Sequence, residues 1–237
     1  VGNSVFLQYA AYVNPECELT GYEIDNKILD FFGNPPSANI YNVDYLLNGW
    51  DLQFDAIVCN PPYNRFQAVS NRTEILEKIS AYTGIKYSSY TNLYILFLIK
   101  SIFQMSNNSR LAYIIPSEFL NSKYGVAIKK LMIEKRLLKS IINFRKDKDL
   151  FFNATTTCCI LLLDKKEKEE ISFYNLNSIN QLEKPMSMVF ENENHISVKY
   201  DDINPNEKWR LYLYHEETVS YNNLINLSNF CVVSRGI

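Results

Sequence analysis

The chain of 237 residues and 27.7 kDa carries 24 basic against 26 acidic side chains, a net charge of −2 too balanced for holding nucleic acid by charge spread over the whole surface. Its length suits one large domain, or one domain and the start of another. It offers neither a run of about 18 apolar residues nor a basic-then-apolar leader, so it is expected in the cytoplasm without a membrane span.

The opening residues, Val1-Gly2-Asn3-Ser4-Val5-Phe6-Leu7, read as the second half of a strand-to-helix turn whose first strand is missing, with Gly2 allowing close backbone approach to a ligand. Residues 19–24 form an apolar strand ending in Glu23 and Asp25, and 26–32 suit a helix. A second strand over 39–43 ends at Asp44, and a third over 54–59 ends at Asn60-Pro61-Pro62-Tyr63. Residues 64–91 are polar, with one helical pattern over 73–82; so long a loop beside a site is expected to be functional. An apolar helix over 93–105 follows, then a strand over 111–115, the turn Pro116-Ser117-Glu118, a helix over 126–134 and a strand over 138–144. Lys129, Lys130, Lys135, Arg136, Lys139, Arg145, Lys146 and Lys148 collect here against Glu134 and Asp147, and a solvated face explains them as well as a phosphate contact does. After the connection 149–154, residues 155–163 form a last long strand, antiparallel to its neighbour.

This alternation predicts an α/β fold, a doubly wound, mostly parallel sheet with an antiparallel strand near the C-terminal end. From Asp164 the character changes to a charged turn and short polar pieces, which divides the chain into a core over 1–164 and an extension over 165–237. The final residues stop inside an apparent strand and turn, so both ends are expected to be cut. The five cysteines have no Cys-x-x-Cys spacing and the two histidines, His195 and His215, lie far from all but Cys231, which argues against a zinc site or a disulfide framework.

Function concentrates where the third strand ends, because open α/β sheets keep their chemistry at the carboxyl ends of their strands. Two consecutive prolines fix φ and remove two amide donors, leaving the carbonyls of a stiff turn free to accept from a ligand. Asn60 adds an amide oxygen and Tyr63 a flat ring, a set that suits a planar heterocycle bearing an amino group, hence a nucleobase. The plain alternative is a stiff turn after a strand, since Pro and Asn are ordinary turn residues.

Taken in order, Gly2 to Leu7, Gly21-Tyr22-Glu23-Ile24-Asp25, Asn42-Val43-Asp44, Asn60-Pro61-Pro62-Tyr63, Arg110 to Ser117 and Phe151-Phe152-Asn153-Ala154-Thr155 resemble the motif series of the N6-adenine DNA methyltransferases, most of all the gamma class of restriction-modification systems. The first motif departs most: its acidic-Pro opening would precede Val1, and Ser4 stands where a second glycine is usual. The resemblance implies an S-adenosylmethionine-dependent methyltransferase fold with S-adenosylmethionine as cofactor and no metal. Gly2 and Asn60 would lie against that cofactor, Glu23 would accept from its ribose hydroxyls, Ile24 would pack on its adenine, and Asp44 would accept from its adenine amino group. Asn60 and the Pro61 carbonyl would hold the target amine during methyl transfer, while Tyr63 and Phe151, chosen over Phe152, would stack on a flipped adenine.

The expected partner is double-stranded DNA, with a restriction endonuclease, separate or fused, completing such a system, and residues 165–237 would begin a target-recognition region. Cytosine's exocyclic amine, RNA or a protein glutamine is the competing acceptor. A non-catalytic DNA-specificity subunit is the competing reading from another class, against which the intact Asn60 to Tyr63 turn stands.

Overall fold

The computed structural model describes residues 1–31, 33, 35–64, 66–88, 90–144, 157–177, 181–182 and 195–213. Gly2 and Ser4 both take left-handed backbone, φ 57° and 59°, at the turn that leads into helix α1 (Val5–Val13). Strand β1 (Leu19–Tyr22), helix α2 (Asn26–Phe31) and strand β2 (Ala38–Tyr41) form a β-α-β unit in which β1 and β2 are parallel, with Leu19 opposite Ala38 and Tyr22 opposite Tyr41. The polar segment after strand β3 (Phe54–Cys59) contains the expected helix, α3 (Arg72–Thr83), which ends at Gly84 in left-handed conformation.

Helix α4 (Leu93–Phe103) is apolar almost all round and is correspondingly buried, with Leu96, Leu98 and Ile99 at most 1% exposed. Each such side chain contributes about 1.5–3 kcal/mol of burial free energy. Strand β4 (Met105–Pro116) begins six residues earlier than its apolar run, because the polar stretch Ser106 to Arg110 is carried into the sheet by pairing of Phe54 with Met105. Helix α5 (Gly125–Glu134) leads to strand β5 (Leu138–Phe144), buried at every position but Lys139, as expected for a strand covered on both faces.

Strand β6 (Cys158–Asp164) lies between β4 and β5, antiparallel to both, with Tyr113 and Ile141 both opposite Leu161. Strands β7 (Glu170–Leu176) and β8 (His195–Lys199) complete a six-stranded sheet of order β3-β4-β6-β5-β7-β8. In it β3, β4, β5 and β7 run one way and β6 and β8 the other, the mostly parallel α/β sheet expected, with its antiparallel strand at 158–164. The polar residues after Asp164 therefore include two further strands, and Ile171 and Phe173 are buried in the main core with Trp209. Among the described residues no helix is long and apolar enough to cross a membrane, and no group of three or more His, Cys, Asp or Glu side chains is placed to hold a metal.

Candidate active site

The β1 strand delivers Glu23 at its carboxyl end, and the left-handed turn at Gly2 brings a backbone donor to it. Glu23 Oε2 accepts from the Gly2 amide at 2.9 Å and Oε1 from the Asp25 amide at 3.1 Å. Burial pushes the Glu23 carboxyl up, but the Asp25 and Gly2 amides lead the opposing causes and the group is held below its ordinary range. Asn42 Nδ2 donates to the Glu23 carbonyl at 2.9 Å, tying the end of β2 to the end of β1. Beside this carboxylate Ile24 is 68% exposed, an apolar surface at a strand end with open access.

Past β2, Asp44 Oδ1 accepts from the Leu46 amide at 2.8 Å, the local bond by which Asp opens a turn. Its other oxygen accepts from Asn71 Nδ2 at 3.3 Å, so the Asp44 turn is joined to the residue that precedes α3. Behind that turn stands α4. Lys100, fully buried, donates through Nζ to the carbonyls of Tyr45 and Asn48, and Gln104 Nε2 donates to the carbonyl of Gly49.

The corner itself leaves β3 with Asn60 exposed and Pro61 buried. The Tyr63 hydroxyl lies 2.7 Å from Asn60 Oδ1 and 3.1 Å from the carbonyl of Ile114, so the turn is laced across to the carboxyl end of β4. Its ring meets Tyr94 edge to face, with centroids 6.3 Å apart, and the Tyr94 and Tyr124 hydroxyls are 3.1 Å apart. Burial first, and then the neighbouring thiol of Cys158, push the Tyr63 phenol well above its ordinary range, which keeps it a neutral donor.

Gly2 with Glu23, and Asn60 with Tyr63, are thus in direct contact. Ile24 is adjacent to Glu23, and Asp44 reaches the segment after the corner through Asn71. Phe151 and Phe152 lie outside the described residues, as do His215 and Cys231. Asn71, Lys100 and Gln104 carry no motif in the sequence, whereas Tyr94 reads there as a buried residue of the apolar helix, as it is. Lys100 carried the plainest signal, the one charge in the helical run Leu93–Phe103.

The model of the Eco57I restriction-modification methylase family matches residues 11–151. The chain belongs to this family. Within reach of the Eco57I-type methylases it is similar to the type II methyltransferase M.AccI of Acinetobacter calcoaceticus, 34% identical over 245 residues that take in 100% of this chain and 45% of the relative. The chain thus spans less than half the length of that protein. Among solved structures, a type I restriction-modification methyltransferase subunit from Streptococcus thermophilus shares the fold with a TM-score of 0.70 at 16% identity, over 90% of this chain and 53% of that one. A Listeria monocytogenes protein assigned to the class I S-adenosylmethionine-dependent methyltransferases superposes with a TM-score of 0.57 at 16% identity, over 79% and 58%. The fold of this member of the Eco57I family is accordingly the one these two structures share.

Proposed function

We propose that this chain is the catalytic part of a DNA methyltransferase that moves the methyl group of S-adenosylmethionine to the exocyclic amino nitrogen of a flipped adenine. The observation that carries the reading is the corner after β3, where Asn60 Oδ1 is oriented by the Tyr63 hydroxyl at 2.7 Å. Family membership supports the reaction class.

The strand ends offer a donor and acceptor set that suits the cofactor. Glu23 is held ionised and carries oxygens able to accept from a vicinal diol, Ile24 is an exposed apolar face for a purine, and Asp44 is a carboxylate fixed in direction by Leu46. When bound, S-adenosylmethionine supplies an electrophilic methyl group on a sulfonium. The adenine amine is a poor nucleophile because its lone pair is delocalised into the ring. Asn60 Oδ1 and the Pro61 carbonyl would accept its two protons and draw the nitrogen toward tetrahedral geometry. As the N–C bond forms and positive charge builds on nitrogen, both hydrogen bonds strengthen, so their effect falls mainly on the transition state. The electron pair of the broken S–CH3 bond stays on sulfur, leaving a neutral thioether, and the extra proton leaves the nitrogen for water.

Flipping the base costs a few kcal/mol. Stacking on aromatic rings is worth roughly 1–3 kcal/mol per base, and Tyr63 is the described platform for it, with Phe151 proposed as the second. In this reading residues 1–164 form the catalytic core and 165–237 begin a target-recognition region, built onto the core sheet through the pairing of β7 with β5. We place the protein in the cytoplasm, with a restriction endonuclease, separate or fused, as its partner.

Transfer of labelled methyl groups to DNA, RNA and protein, followed by nucleoside analysis, tests the reading. N6-methyladenine in DNA is the expected product; N4-methylcytosine, methylated RNA or methylglutamine overturns the choice of acceptor. Asn60→Ala is expected to bind S-adenosylmethionine normally and to lose nearly all transfer. Undiminished turnover of an adenine-containing duplex by that variant refutes the acceptor role.

A further inference from the structure

One face of α4 grips the whole turn that carries Asp44. Lys100 donates to the carbonyls of Tyr45 and Asn48, Gln104 donates to the carbonyl of Gly49 and accepts from the Tyr45 hydroxyl at 2.7 Å, and Ser101 Oγ lies 2.6 Å from that same hydroxyl. The Lys100 ammonium also sits 3.9 Å from the centroid of Tyr45, 5.2 Å from that of Trp50 and 5.5 Å from that of Tyr22. Its principal electrostatic partner is Asp44, whose charge favours the ammonium form.

A lysine taken fully out of water without a carboxylate in contact is costly. A methionine of similar length would fill the same space and carry no such penalty. What lysine supplies here, and methionine cannot, is a donor to two carbonyls of the turn. Only glycine suits the turn at position 49, where φ is 69° and Tyr22 Oη lies against the place a side chain would start.

We propose that Lys100 is a positioning residue that aims Asp44 by holding the backbone of its turn, and thereby sets the preference of the cofactor site for a 6-amino purine over a 6-oxo purine. The inference rests on the reading of Asp44 as acceptor for the cofactor's adenine amino group. It deepens that reading, because the acceptor's direction is fixed on both sides: by Leu46 and Asn71 at the carboxylate and by Lys100 at the backbone behind it.

Calorimetric binding of S-adenosylhomocysteine and S-inosylhomocysteine to the full chain separates the possibilities, since the second ligand carries a 6-oxo group and an N1–H where the first carries the 6-amino group and an unprotonated N1. A hydrogen bond to a charged acceptor makes the native preference about tenfold or more. Lys100→Met is expected to shrink that preference about threefold or more while changing the affinity for the inosyl compound by less than about twofold. Weakening of both ligands by one common factor makes Lys100 a merely structural residue and overturns the proposal. Should the Met variant give no folded circular dichroism spectrum, Lys100→Leu, likewise without a donor, carries the same expectation and the same refutation. Asp44→Asn is the control. A preference lost in Asp44→Asn but intact in the Lys100 variants overturns the proposal alone, whereas a preference unchanged in Asp44→Asn overturns the reading of Asp44 and the proposal with it.

Discussion

The Tyr63 hydroxyl lies 2.7 Å from Asn60 Oδ1 and 3.1 Å from the Ile114 carbonyl, and it has a single proton to share between them. When that proton points to Asn60 it fixes the amide's direction and leaves the oxygen one lone pair for an incoming amine. When it points to Ile114 both lone pairs are open. The corner therefore presents a pre-aimed acceptor in the first state and a stronger but looser one in the second.

Tyr63→Phe keeps the ring and loses the aim. A neutral hydrogen bond contributes about 0.5–1.5 kcal/mol, so kcat is expected to fall about threefold to tenfold with little change in KM for DNA. Tyr63→Ala also removes the stacking platform, worth roughly 1–3 kcal/mol, and should raise KM for DNA as well. Steady-state kinetics with a duplex substrate distinguish the two. Equal losses in both variants would show that the hydroxyl, and not the ring, carries the effect.

Glu23 leads to a prediction about pH. Its carboxyl is held below the ordinary range, so the ionised acceptor persists under mildly acidic conditions. S-adenosylmethionine affinity is expected to stay flat from neutral pH down to about 5 and to fall only below the ordinary carboxylate pKa of about 4.3. Glu23→Ala should weaken binding throughout that range. Calorimetry at several pH values checks both, and an affinity that drops near pH 6, or one unmoved by the substitution, removes Glu23 from the ribose site.

Much of this arrangement could be read before folding. The runs around β1, β2, β3, β5 and β6 are apolar and rich in β-branched or aromatic residues, and the polar group following each of the first three strands marks the edge where ligands bind. The first half of β4 could not be read, because Ser106 to Arg110 have no apolar pattern and owe their strand to backbone pairing with β3. Strand β8 was obscured because none of its residues is buried, and β7 because Ser172 and Asn175 interrupt its apolar residues. Lys100 was conspicuous as a lone charge on an apolar helix, yet its role was not, because its acceptors are backbone carbonyls more than fifty residues upstream. Side-chain pattern carries no record of where a carbonyl will be.

The buried lysines should reverse the usual pH dependence of stability over part of the alkaline range. Burial lowers the ammonium of Lys100 to about 7 and that of Lys129 to about 8. Between those values and the unfolded pKa of about 10.4, the unfolded chain binds protons that the folded chain does not, so each lysine makes stability rise with pH in that window. Below pH 7 the full cost of the Lys100 charge is present. Buried thiols and phenols oppose the trend, Cys59 being raised to about 11, so the comparison is between the native chain and Lys100→Met. Urea unfolding at pH 7 and pH 9 should show the native chain gaining stability relative to the variant as pH rises. A difference independent of pH would mean that Lys100 stays charged throughout, sheltered by its rings and carbonyls.

Two glycines near the site should respond to alanine in opposite degrees. At Gly125, which opens α5, an added Cβ would lie 1.9 Å from the Phe119 carbonyl oxygen and 2.8 Å from its carbon, so backbone would have to move. That backbone belongs to the 3-10 turn Ser117–Leu120 directly after β4, and Tyr124, whose hydroxyl meets Tyr94 beneath the corner, precedes the glycine. Gly125→Ala is therefore expected to cost at least the roughly 1–3 kcal/mol of overpacking and to lower methyl transfer along with stability. Gly84, which ends α3 at φ 71°, has nothing within 4 Å of its added Cβ, so Gly84→Ala meets only the left-handed penalty of about 1–2 kcal/mol and should leave transfer intact. Thermal unfolding and single-turnover methylation of the two variants side by side check this. Equal effects on transfer would disconnect the Phe119 turn from the Asn60 to Tyr63 corner.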